Sequence, residues 1–188
     1  LTANRNYKKL FKLAKNFNCK NIIIHDKNEY LKLIKKNKNK EINILKKIID
    51  FSKKFRGKVH YTMCSIAGIN GLEPTLDAIC FSQCVAIANK ESIICGWNLI
   101  EKKLKKFKST FVPVDSEHFS IWNLIQNYKI NQIEKIIITA SGGPFLNLPL
   151  SKFKKIKPYD AIKHPNWSMG KKISIDSATL MNKVFEVI

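Results

Sequence analysis

Short β-rich apolar runs alternate with amphipathic segments along the first two-thirds of this chain, and no other feature constrains its fold as strongly. Residues 21–25 (NIIIH) read as a strand and 29–36 as a helix. Residues 41–55 carry Ile42, Ile44, Leu45, Ile48, Ile49 and Phe51, a stripe that predicts a helix. A strand over 59–66 then runs into Gly68 and Gly71, and Pro74 suits the first turn of a helix reaching about Phe81. Residues 84–88 read as a buried strand, 91–107 as a long helix and 110–114 as another strand. A βαβ series of this kind predicts an α/β fold with a largely parallel, doubly wound sheet.

After Asp115 the texture changes, and we place a domain boundary there, between residues 1–114 and 115–188. A helix over 116–127 leads to an expected strand at 135–139 and a glycine-proline turn at 141–145. An irregular stretch follows through Pro158, His164, Pro165 and Trp167. Residues 172–175 read as extended, and Ser177 reads as the N-cap of a last helix. The chain starts without methionine and stops at Ile188 in what reads as a helix, so both ends are expected to be cut.

The formal net charge of +20 points at first to a polyanionic partner. The charge is almost all lysine, however, with Arg5 and Arg56 the only arginines, whereas base readout and bidentate phosphate clamping favour arginine. Lys102, Lys103, Lys105, Lys106 and Lys108 alternate with Leu104 and Phe107 as on a solvated helix face, so no nucleic-acid partner is expected. Five cysteines, none in a two-residue pair, read as buried free thiols of a reducing cytosol. No apolar run approaches the roughly 20 residues that a membrane span requires, so a soluble, cytoplasmic protein without a membrane partner is expected.

Five segments could carry chemistry, each with a plainer alternative. Asp115 and Glu117 lie two apart at a strand end and would point to one side of an extended chain, where oxygen ligands suit Mg2+ or Mn2+. Alternatively, Asp115 caps the next helix and Glu117 is a first-turn acid. The turn 139–145 offers backbone N–H groups and the Ser141 hydroxyl to an anion, or is only a turn. In the last helix, Ser177 would lie where N–H groups welcome phosphate, with Asn182, Lys183 and Glu186 on one side; an ordinary intrahelical ion pair is the alternative. His164 and Trp167 sit in a proline-bounded loop that covers a site or merely anchors itself in the core. A further segment, 88–92, lies at a strand-to-helix junction where ligands of open α/β sheets collect, or where a helix is capped.

Taken in order, the stretches 71–76 (GLEPTL), 88–92 (ANKES), 113–118 (PVDSEH), 140–145 (ASGGPF), 164–170 (HPNWSMG) and 174–183 (SIDSATLMNK) resemble the 1-deoxy-D-xylulose 5-phosphate reductoisomerases across the whole chain. The resemblance implies a Rossmann-like NADPH-binding domain followed by an α/β central catalytic domain that holds a divalent metal, Mg2+ or Mn2+, and the sugar phosphate. It implies metal ligands at Asp115, Glu117 and Glu186, and catalytic roles for Lys90, Glu117 and His164. Phosphate would be held by Ser141, Ser177, Asn182 and Lys183 with His164 closing from the loop, while Lys90 and Ser116 address the carbon chain. Trp167 would sit in a mobile lid, and Glu186 would border the substrate.

On the cofactor side the resemblance implies contacts from Asn4, Arg5, Asn6, Asn89, Glu91 and Gly170. Arg5 supplies a cation for a 2'-phosphate, which favours NADP over NAD. Asn4 replaces the glycine common in the family, and asparagine tolerates positive φ better than most residues. The family's first strand and Gly-rich loop would precede Leu1 and its C-terminal helices would follow Ile188. A homodimer is implied by the family alone. Two other readings stand beside this one: a homoserine dehydrogenase-like NADP enzyme, and a lysine-rich nucleic-acid module whose affinity would fall steeply with salt.

Overall fold

Three parallel strands, β1 (Thr2–Ala3), β2 (Asn21–Ile24) and β3 (Asn43–Leu45), pair in the order β1-β2-β3 in a computed structural model that describes residues 1–188. Helices α1 (Tyr7–Asn16) and α2 (Lys27–Lys36) connect them. Both helices start on a side-chain cap: Asn6 accepts from the Lys9 N–H, and Asp26 accepts from those of Asn28 and Glu29. Their apolar faces meet the strands in one cluster of Leu10, Phe11, Ala14, Ile22, Ile24, Leu33 and Ile42.

A second set follows: β4 (Val59–Cys64), β5 (Ser82–Ile87) and β6 (Thr110–Pro113), in the order β4-β5-β6. The β4–β5 pair is parallel and keeps Tyr61 opposite Cys84 and Cys64 opposite Ile87. Helices α3 (Ile48–Lys54), α4 (Leu72–Ile79) and α5 (Lys90–Phe107) complete this part. The core joins Ile79, Val85, Ile87, Ile100 and Leu104, all buried. Helix α5 kinks at Gly96, where an added Cβ would lie 2.4 Å from Leu72 Cδ1, so a side chain there would have to displace Leu72 of α4. Lys102, Lys105, Lys106 and Lys108 are exposed around buried Leu104, as a solvated face requires.

Several expectations are corrected. Residues 41–55 are not one helix: Ile44 pairs with Ile22 in β3, and α3 starts at Ile48. Spacings of one, two and three residues serve a strand followed by a helix as well as one helix, and pairing to β2 decides between them. The α/β class is as expected, with the strands in two three-stranded sheets. Edge strands β1 and β4 do not pair, and a cavity of about 190 Å³ lined by Leu1, Thr2 and Ile23 on one side and Thr62, Met63 and Cys64 on the other lies there. Of the thiols, Cys64 is buried but Cys95 is exposed.

The chain divides into two compact units, Leu1–Val112 and Pro113–Ile188. The second is built from α6 (Ser116–Ile125), α7 (Pro158–Ala161), α8 (Lys171–Ala178) and α9 (Met181–Val187), with 3-10 turns at Ile130–Gln132, Gly143–Phe145 and Leu150–Lys155. The strand expected at 135–139 does not form: Ile137 is 74% exposed and no strand pairs with it. An apolar β-branched run has strand propensity, but a strand exists only when a neighbour takes up its backbone groups. Residues 172–175, expected to be extended, lie inside α8, with the Ser174 N–H donating to Gly170 O at 3.1 Å. Ser177 is therefore in the last turn of α8 rather than an N-cap, and α9 starts after Leu180, which has φ +59°.

Candidate active site

The first turn of α6 is held by Asp115, whose Oδ1 accepts from the His118 N–H at 2.9 Å. The capping alternative for Asp115 is thus realised, and the strand-end geometry that would aim both acids one way is not. Glu117, in the first turn, receives a hydrogen bond from the Ser116 hydroxyl at 2.8 Å.

What gathers around Glu117 comes from α9. Lys183 Nζ lies 2.5 Å from Glu117 Oε1 and 2.9 Å from Glu186 Oε2, while the Glu186 side chain is fully buried. Burial alone would raise the Glu117 carboxyl, but hydrogen bonds from Lys183 and Ser116 outweigh it and bring it down to about 2. Burial likewise opposes the charge on Lys183, and its hydrogen bonds to Glu117 and Glu186 overcome this and raise it. No three of the acidic, His or Cys side chains converge as a ready metal cluster. Even so, two carboxylates already closed around a cation have hard oxygen donors of the kind that magnesium or manganese takes, and on that chemistry Glu117 and Glu186 fit such an ion. Asp115 stands one step away, turned toward His118.

His118 is the residue that sequence reasoning passed over. Its Nδ1 lies 2.8 Å from Asp115 Oδ2 and its Nε2 lies 3.1 Å from the Glu186 carbonyl oxygen, so one ring ties the start of α6 to α9. Its place beside Asp115 and Glu117 in the sequence was the available signal; the link to Glu186 is not local.

A second cluster forms around the glycine turn. Gly142 and Gly143 have φ of +80° and +65°, and a Cβ on Gly143 would come within 2.8 Å of Ser177 O, so the turn packs against the end of α8. Ser141 Oγ lies 3.1 Å from His164 Nε2. His164 Nδ1 accepts from the backbone N–H groups of Asn166 and Trp167, which leaves Nε2 to carry the proton toward Ser141. Ser177 is buried, and the Asn182 Oδ1 is buried without a partner. That oxygen is an acceptor, so whatever completes its bonding must donate to it. Trp167 is 64% exposed on its loop, and Gly170 caps α8.

In the first unit, the expected cofactor residues follow the carboxyl ends of parallel strands, where open α/β sheets bind ligands. Asn4, Arg5 and Asn6 follow β1, and Asn89 and Glu91 follow β5 on either side of Lys90, which is expected to address the substrate. Arg5 Nε lies 3.5 Å from Asp26 Oδ2 with its side chain mostly in solvent. Asn4 is not among the positive-φ residues, so the glycine it replaces is not missed for that reason. Asn6 caps α1. Asn89 is buried and fully engaged: its Oδ1 accepts from the Ser92 N–H, and its amide donates to the carbonyls of Ile66 and Gly68. It fixes the loop after β4 against the start of α5.

Comparison with known proteins gives one answer over the whole chain. The family described as 1-deoxy-D-xylulose 5-phosphate reductoisomerase matches residues 1–96, and its C-terminal domain matches residues 111–188. The chain is 60% identical over 190 residues to the reductoisomerase of Pelagibacter ubique (strain HTCC1062), covering 100% of this chain and 49% of that protein. It is 40% identical to that of Clostridium botulinum (strain Eklund 17B / Type B), again over 100% of this chain and 49% of the relative. Among solved structures, the Zymomonas mobilis enzyme in complex with NADPH superposes with a TM-score of 0.86 at 36% identity, covering 100% of this chain and 48% of that one. A reductoisomerase in complex with NADPH, fosmidomycin and magnesium gives 0.82 at 34% identity, with 100% and 49% covered. The chain therefore spans about half the length of the relatives it matches. With two matched domains and a relative 60% identical over the whole chain, this chain belongs to the 1-deoxy-D-xylulose 5-phosphate reductoisomerase family.

Proposed function

We propose that this chain is the part of a reductoisomerase that carries most of its metal, phosphate and adenosine-side contacts, in an enzyme converting 1-deoxy-D-xylulose 5-phosphate to 2-C-methyl-D-erythritol 4-phosphate in isoprenoid synthesis. The observation that carries the reading is Glu117 of α6 and Glu186 of α9 closed around one cation, the Lys183 ammonium. When bound, NADPH supplies the hydride and Mg2+ or Mn2+ supplies the charge that polarises the substrate's ketone and adjacent hydroxyl.

The chain's own residues do the rest. Asp115, Glu117 and Glu186 hold the divalent ion. Ser141, Ser177, Asn182 and Lys183 anchor the phosphate, and the proton on His164 Nε2, now directed at Ser141, is directed at a phosphate oxygen in the complex. Lys90 and Ser116 orient the carbon chain, Trp167 covers it from its loop and keeps water out, and both effects lower the barrier by fixing the reacting atoms. Asn4, Arg5, Asn6, Asn89, Glu91 and Gly170 belong to the NADPH side, where Arg5 offers its exposed guanidinium to the 2'-phosphate. The functional protein is a cytoplasmic homodimer on this reading, and no helix is long and apolar enough to cross a membrane.

The test is NADPH oxidation by the full-length protein with 1-deoxy-D-xylulose 5-phosphate, with and without Mg2+, beside Glu117→Gln. Metal-dependent turnover lost by at least about a hundredfold in the variant is the expected outcome, since removing a charge that stabilises the transition state costs on that order. A folded, NADPH-binding protein that leaves this substrate untouched would overturn the assignment.

A further inference from the structure

Lys183 has two claims on it: the proposed phosphate, and the two carboxylates it now bridges. Its side chain is 16% exposed and sits at 2.5 Å from Glu117 Oε1 and 2.9 Å from Glu186 Oε2. A divalent ion ligated by the same oxygens would approach them at about 2.0–2.1 Å in the case of magnesium, and an ammonium within 3 Å of those oxygens would then face it as a like charge. Metal and Lys183 therefore compete for the same carboxylates.

Competition alone would weaken metal binding, but the residue next to Lys183 supplies a way out. Asn182 precedes it in the first turn of α9, and its side-chain amide N–H groups are donors that a phosphate oxygen accepts from, so a phosphate held there on the reading above lies next to Lys183. The lysine stem is a flexible four-carbon chain, so its ammonium changes partners by rotation about its own bonds while α9 stays in place.

Resting on the reading above, we propose that Lys183 is an exchangeable cation that couples the two ligands: it neutralises Glu117 and Glu186 when no metal is bound, and passes to the phosphate when metal takes its place. Each ligand then relieves a cost that the other would bear alone. Metal freed of its competitor binds more tightly once phosphate holds the lysine, and by linkage phosphate binds more tightly once metal has released it. Without either ligand, the ion pairs keep fully buried Glu186 from standing uncompensated.

The experiment measures Mn2+ dissociation constants on the full-length protein by electron paramagnetic resonance, with and without inorganic phosphate, for the natural sequence, Lys183→Met and Lys183→Arg. Phosphate is expected to tighten Mn2+ binding to the natural protein by on the order of tenfold, within the usual range for coupled sites. Lys183→Met should bind Mn2+ more tightly than the natural protein without phosphate, and phosphate should no longer help. Lys183→Arg keeps a cation on both carboxylates, so it remains informative if the methionine variant fails to fold, and it should bind Mn2+ no more tightly than the natural protein. Mn2+ affinity unchanged or weakened by Lys183→Met in a folded protein, or tightened by Lys183→Arg, would overturn the coupling alone. Absence of Mn2+ binding in every form would remove the metal site itself and the coupling with it.

Discussion

The two units are stabilised by opposite kinds of burial. In Leu1–Val112 the fully buried side chains are mostly aliphatic, among them Ile22, Ile24, Leu33, Ile79, Val85, Ile87 and Ile100, and every hydrophobic residue of the buried core lies in this unit. In Pro113–Ile188 the buried side chains beyond Pro113 at its start are polar or charged, Ser174, Ser177 and Glu186, while Ile136, Ile137, Leu146, Leu150 and Trp167 are exposed. Aliphatic burial is non-directional and holds without a ligand. Buried polar groups hold only while their partners are present, so the second unit depends on ion pairs and hydrogen bonds that bound ligands would rearrange.

The largest effect that sharpens this contrast is in the first core. Ile100→Ala removes a buried side chain between α4 and the β4–β5 pair and should cost about 2–5 kcal/mol, read as a lower urea midpoint. The loss should not respond to metal or phosphate; rescue by either would break the comparison.

A smaller and more local loss is expected from His118→Ala. It removes the bridge from Asp115 to the Glu186 carbonyl and should cost about 1–3 kcal/mol. Hydrogen exchange should quicken in α6 and α9 while β2 and β5 keep their protection. Uniform loss of protection in both units would mean that they do not differ in this way.

The smallest effect is the acid response of the metal-free protein. The Glu117 carboxyl lies at about 2 against an ordinary value of 4.5, so its contribution to stability is complete above about pH 4.5 and fades as pH falls toward 2. Exchange protection of α9 should fall in that window, and Glu117→Gln should flatten the fall. An α9 whose protection is indifferent to pH between 5 and 2 would show that the Lys183 pair adds nothing there.

Much of the first unit was legible from residues alone, because its signals are local. Strand β1, helix α1 and the caps at Asn6 and Asp26 were not read from the sequence, but the cap in segment 88–92 and the apolar face of α5 act over three to seven residues, and the sequence displays those spacings directly. The same is true of Asp115 as a cap and of Gly142 and Gly143, whose positive φ a turn demands. The candidate site residues were named through ordered motifs, which fix identity and not geometry.

What only the tertiary structure decided lies between distant residues. Residues 135–139 have strand propensity but find no strand partner, and 172–175 alternate polar and apolar residues yet coil into α8. Glu117 and Lys183, 66 positions apart, meet only because the second unit packs α6 against α9, and His118 reaches Glu186 across 68. Local sequence sets dihedral preferences worth tenths of a kcal/mol to about 1 kcal/mol per residue. Pairing and burial outweigh them, so the amino acids determined which groups are available and the packing determined which of them meet.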